Sequence, residues 1–104
     1  MKIVGVTACT TGIAHTYMAQ EAIEKECQKR GYEAMIETQG GMGIENELTD
    51  EEIANADAVI LAISIGIEGD ERFDEKREEG KVITLDPSVV IKNVSNVIDQ
   101  LENL

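Results

Sequence analysis

Lys2-Ile3-Val4-Gly5-Val6-Thr7-Ala8-Cys9-Thr10-Thr11-Gly12-Ile13-Ala14-His15-Thr16 is the stretch from which the fold is read. Lys2–Thr7 is a short, β-branched apolar run closed by small residues, the pattern of a buried strand. From Ala14 the period changes. Met18 and Ala22, and then Ala19, Ile23 and Cys27, recur every four positions, which gives a helix one continuous face. The helix is expected to begin near Ala14 or His15, and Gly31 supplies a C-terminal stop. A buried strand that passes through a short loop into a helix is the opening unit of an α/β sheet.

Outward from there the alternation repeats. Ala34–Thr38 reads as a second strand, and Gly40-Gly41-Met42-Gly43 as a flexible turn. Thr49-Asp50-Glu51-Glu52 is a capping box with acidic residues in the first turn, opening a short helix through Ala56. Ala58–Ile63 is a continuous apolar run, the clearest buried strand in the chain. Glu68–Glu79 is highly charged, with room for a short helix. Val82–Leu85 reads as a fourth strand. Asp86-Pro87 caps and starts a final helix whose inner face carries Val90, Val94, Val97, Leu101, Ile91 and Ile98. Four strand–helix units predict an α/β fold, one domain over residues 1–104. The expected form is a four-stranded parallel sheet with helices on both faces, Rossmann-like and doubly wound. Ligands of such sheets bind beyond the carboxyl ends of the strands, where strand order reverses. The loop after the first strand is therefore the first candidate site.

Composition narrows the chemistry. The net charge is −12, and Lys and Arg form no run or stripe interleaved with aromatics. Nucleic acid is excluded as a partner, because phosphate neutralisation needs concentrated positive charge. Direct binding to an anionic lipid surface is disfavoured for the same reason. The acidic surface reads as a solvated one, or as the complement of a positive docking face on a partner. No segment is apolar for long enough to insert directly into a membrane, and the start is too short and strand-like for a signal peptide, so a cytoplasmic location is expected. The two cysteines, Cys9 and Cys27, lie 18 positions apart, too few and too far apart for a disulfide framework or a zinc site. Cys27 continues the stripe Ala19-Ile23-Cys27 and reads as core.

The loop from Cys9 to Thr16 has the makings of an anion site. Free backbone N–H groups at a helix start point toward it, and the helix dipole favours negative charge there. Gly12 lets the backbone pass close to a ligand. Thr10, Thr11 and Thr16 add hydroxyls, and His15 adds a donor that is charged part of the time. The same surroundings should lower the Cys9 thiol below its free value of about 8.5. A thiolate there could attack phosphorus and leave again later, with the surrounding backbone amides holding the phosphoryl oxygens. No metal or other cofactor is required. Each member has an ordinary alternative: Cys9 as a small apolar filler, Gly12 as a common loop glycine, His15 as a helix-terminal residue. Their combination within eight residues is what points to chemistry.

Thr7-Ala8-Cys9-Thr10-Thr11-Gly12-Ile13-Ala14-His15-Thr16-Tyr17-Met18-Ala19 resembles the signature around the phosphorylated cysteine of fructose-family enzyme IIB components. These belong to the phosphoenolpyruvate-dependent sugar phosphotransferase system. The likeness continues through Glu37-Thr38-Gln39-Gly40, Gly43-Ile44-Glu45-Asn46, Ala56-Asp57-Ala58-Val59-Ile60 and Arg72-Phe73, and weakens beyond. It implies that Cys9 accepts a phosphoryl group from a phosphohistidine on a IIA domain. Cys9 would then pass the group to fructose or a related sugar bound in a membrane IIC domain. Thr10, Thr11, Gly12, Ile13, Ala14, His15 and Thr16 would bind the phosphate. The sequence departs from the family at Thr10, where proline is usual, and after Phe73, where the run is Asp74-Glu75-Lys76 and not a residue followed by Gly-Lys. Thr10→Pro is expected to restore the usual geometry with Cys9 still phosphorylated. A Cys-x5-Arg phosphatase is the alternative enzyme, but His15 stands where its arginine would be. A non-enzymatic docking module that uses the acidic surface is the third reading.

Overall fold

The computed structural model describes residues 1–10, 13–41 and 43–104, with only the backbone described at Ile13. Five strands form one sheet: β1 (Lys2–Ala8), β2 (Glu33–Gly40), β3 (Gly43–Glu45), β4 (Ala58–Ile63) and β5 (Val82–Leu85). Their order across the sheet is β3-β2-β1-β4-β5. β1 runs parallel to β2 and β4, and β5 runs parallel to β4. β3 pairs antiparallel with β2, Gly40 opposite Gly43.

The sheet therefore differs from the expected one by an edge. Four strands are parallel as expected, and the fifth makes the sheet mixed. The stretch read as a flexible turn, Gly40-Gly41-Met42-Gly43, instead joins β2 to β3 in a hairpin with a two-residue loop; Met42 lies outside the described residues. A three-residue strand with a single apolar side chain, Ile44, offers too little alternation to be read as a strand. Such an antiparallel edge is common on otherwise parallel sheets.

Helices cover both faces. On one side, α1 (Ile13–Lys29) packs Ala19, Ile23 and Cys27 against Ile3, Ile36 and Ile60 of the strands. The same layer holds α4 (Pro87–Lys92) and α5 (Val94–Glu102), through Val90, Val97, Ile98 and Leu101. The single final helix expected from Asp86-Pro87 is thus two, broken at Asn93, whose φ of −131° leaves the helical region. The expected inner face survives the break, because Ile91 and Val94 also pack against this core. On the other side, Ile53 of α2 (Asp50–Ala54) and Phe73 of a 3-10 turn (Asp70–Phe73) cover Val4, Val6, Val59 and Leu61 together with Leu48 and Ala56, and α3 (Asp74–Glu78) follows the turn without burying a residue.

Local signals hold where they are strongest. Thr49 and Glu52 form the predicted reciprocal capping box of α2. Gly31, at φ +77°, ends α1 in a Schellman turn, with Tyr32 N–H donating to Cys27 O and Gly31 N–H to Gln28 O. Cys27 is fully buried, and burial pushes its thiol up to about 11, as suits a core residue. Met18, on the expected stripe, is instead exposed.

β1 leads through α1 to β2 on one side, while β4 and β5 lie on the other. Strand order reverses between β1 and β4, which places the crevice for a ligand beyond Ala8 and Ile63.

Candidate functional site

Cys9 is the first residue past β1, and α1 begins at Ile13. Cys9 is half-buried. His15, in the first turn of α1, is exposed, and its Nδ1 lies 4.0 Å from Cys9 Sγ. The structure thus brings together the two members of the predicted constellation that can exchange protons. Thr10 is exposed, and its N–H donates to Ser64 Oγ at 3.2 Å. Ala14 is exposed beside His15. Thr16 is buried, and its Oγ1 has no hydrogen-bond partner among the described residues. Thr11 and Gly12 lie outside the described residues, as does the side chain of Ile13.

A cleft of about 580 Å³ opens at Cys9. Cys9 and Thr10 form one wall. The β2–β3 hairpin, through Gln39, Ile44 and its glycines, and Ile65 and Glu68 from the segment after β4 form the rest. Asp86, the N-cap of α4, lies within electrostatic reach of His15. Its carboxyl is held below the usual range by the Ser88 hydroxyl and N–H and, to a lesser degree, by the charge of His15.

The walls are braced by groups that sequence reasoning did not assign to the site. The Tyr17 hydroxyl donates to the Glu45 carboxylate, which also accepts from Thr38 Oγ1 at 3.5 Å. These contacts tie the hairpin to α1, and the Glu45 carboxylate raises the Tyr17 phenol above its ordinary range. The opposite wall hangs on a buried ion pair. Glu37, fully buried on β2, accepts from Arg72 at 2.8 and 3.0 Å, from Leu48 N–H at 2.8 Å and from Gln39 Nε2 at 2.7 Å. Gln39 in turn clasps the Glu68 backbone, donating to its carbonyl and accepting from its N–H, both at 2.9 Å. Arg72 donates further to the carbonyls of Leu48, Glu68 and Gly69 and lies 5.2 Å above the Phe73 ring. Burial pushes the Glu37 carboxyl up, but the bonds from Arg72, Gln39 and Leu48 together outweigh it and leave the group below its ordinary value.

The visible signal for this brace was a charged residue inside a strand, Glu37, matched by a cation far along the chain at Arg72. Ser64 gave no signal, since a single serine after a strand is unremarkable by itself.

The same geometry bears on the phosphatase alternative. The chain has three arginines. Arg72 is bound to Glu37, Arg30 to Glu26 and Asp99, and Arg77 to Asp70 and Asp74, so each guanidinium is committed elsewhere. A second groove of about 530 Å³, between α2 and α3, is lined by Asp50, Glu71, Arg72, Asp74, Glu75 and Lys76 among others and offers no thiol or hydroxyl. Among the described residues no group of histidine, cysteine and carboxylate side chains could hold a metal ion, and no helix is long and apolar enough to cross a membrane.

Comparison with known proteins agrees with this picture. Residues 4–100 match the family model described as "PTS system, Lactose/Cellobiose specific IIB subunit". The chain is 45% identical to the PTS system fructose-like EIIB component 2 of Escherichia coli K12, over 97% of this chain and 92% of that protein. It is 44% identical to the fructose-like PTS system EIIBC component of the same organism, over 97% of this chain and 20% of that one. Among solved structures, a domain from the fructose-specific iiabc component of Borrelia burgdorferi superposes with a TM-score of 0.81 at 48% identity, covering 98% of this chain and 93% of that domain. A family model that spans nearly the whole chain, and relatives of similar length and fold, show that the chain belongs to the IIB components of the sugar phosphotransferase system, fructose-like in kind, and is a phosphoryl carrier in sugar uptake.

Proposed function

We propose that Cys9 is the residue that carries the phosphoryl group. The observation that carries this reading is the placement of Cys9 Sγ at the mouth of a cleft, one turn from the start of a 17-residue helix and 4.0 Å from His15 Nδ1. The donor is a phosphohistidine on a IIA domain. The thiolate attacks phosphorus, the P–N bond breaks, and the imidazole leaves with its electron pair and takes up a proton. The S–P bond so formed is broken in the second step by a sugar hydroxyl, which gives up its proton as the thiolate departs.

The cradle for the phosphoryl oxygens is the loop Thr10, Thr11, Gly12, Ile13, Ala14, His15 and Thr16. Its donors are the N–H groups of the first turn of α1 and the imidazole. Thr16 contributes from beneath, with a buried hydroxyl that has no partner among the described residues. The acceptor is a sugar held by a membrane IIC domain, as the EIIBC name of one relative suggests, and fructose is the sugar that the relatives' names favour. The iiabc name of another supports a IIA donor. Both partners act at the cytoplasmic side.

Incubation with a phosphorylated IIA domain should transfer label to this chain, and Cys9→Ser should abolish the transfer. Undiminished labelling of Cys9→Ser would overturn the assignment.

A further inference from the structure

The ladder between β1 and β4 ends with Ala8 opposite Ile63. Ser64, the next residue on the β4 side, donates its N–H to Ala8 O at 3.1 Å. In a continuing parallel ladder the following rung would run from Thr10 N–H to the carbonyl of residue 64. Here Thr10 N–H donates instead to the Ser64 side chain, Oγ, at 3.2 Å. One residue thus grips the chain immediately before and immediately after Cys9. Because the second grip comes from a side chain, the backbone is released from the strand at Cys9 and can turn toward α1 while its start stays fixed.

We infer that Ser64 is a positioning residue for phosphoryl transfer, acting as a latch on the Cys9 loop through the Thr10 N–H. The inference rests on the reading of Cys9 as the phosphoryl carrier. It reverses the expectation for Thr10. A proline there has no N–H to give, so Thr10→Pro deletes the latch and does not simply restore a familiar geometry. The latch needs both partners: a residue with an N–H at position 10 and a side-chain acceptor at position 64.

The test is a double-mutant cycle on transfer from phosphorylated IIA to Cys9, with kcat and KM read separately. Ser64→Ala keeps the backbone bond to Ala8 and removes the acceptor. It should lower kcat about tenfold, the scale of one hydrogen bond lost from the transition state, with KM for the donor unchanged. Ser64→Thr keeps the hydroxyl and should transfer at nearly the rate of the unmodified chain. Thr10→Pro should match Ser64→Ala, and the double variant should be no slower than either single one. Ser64 is exposed, so its variants should fold. Exchange of the Thr10 amide, followed by NMR, should accelerate in Ser64→Ala and not in Ser64→Thr. A Ser64→Ala chain that transfers as fast as the unmodified one, or a double variant whose loss is the product of the single losses, would overturn the latch while leaving Cys9 as carrier. An unmodified chain that takes no label would overturn the carrier reading and the latch with it.

Discussion

Glu37 shows how one side chain holds a site that it does not touch. A carboxylate with no exposed surface is tolerable only because Arg72, Gln39 and the Leu48 N–H all donate to it. Removing one partner strands the other, so Glu37→Gln and Arg72→Met should each cost about 3–5 kcal/mol in urea denaturation. The pair Glu37→Leu with Arg72→Met should lose less than the sum, because no charge is left buried alone. The carboxyl is held below its ordinary value of 4.5 in the folded chain, so its contribution to stability is full above that value and is lost as pH falls through the lower, folded one. The acid limb of a stability–pH curve should flatten in the double apolar variant. An unchanged acid limb there would remove Glu37 from the account.

At the scale of elements, the central contact is that of β1 with β4, which sets where Cys9 emerges. The two strands meet at Gly5, where an added Cβ would lie 2.4 Å from Ile60 O and 2.7 Å from Ile60 Cγ2. Gly5→Ala must therefore push two central strands apart. It should cost about 1–3 kcal/mol in thermal or urea unfolding; a loss below the error of measurement would show that the strands have slack. The elements that were legible in the sequence were those with a strong period or a cap. Ala58–Ile63 and Val82–Leu85 fall on the strands residue for residue, and Thr49 and Asp86 cap the helices they announce. What escaped was set by pairing and not by local pattern. β3 exists because β2 offers an edge to a hairpin, and the break at Asn93 lets two short helices follow the curve of one core face.

For the molecule as a whole, the sequence made Cys9 and its loop visible because a nucleophile, a glycine and a histidine fall close together along the chain. It concealed the rest of the cleft, because Gln39, Ile44, Ser64, Ile65 and Glu68 meet Cys9 only once β2, β1 and β4 lie side by side. With a net charge of −12, the proposed carrier has little basic surface, and its phosphoryl group is proposed to rest on local amides and an imidazole. That arrangement places two possible acceptors, a thiol and an imidazole, 4.0 Å apart. The most direct measurement is to phosphorylate the chain with its donor, cleave it under conditions that preserve labile phosphate, and locate the group by fragmentation mass spectrometry. The account predicts phosphate on Cys9 Sγ and none on His15. Phosphate on His15, or on a peptide that lacks Cys9, would contradict it.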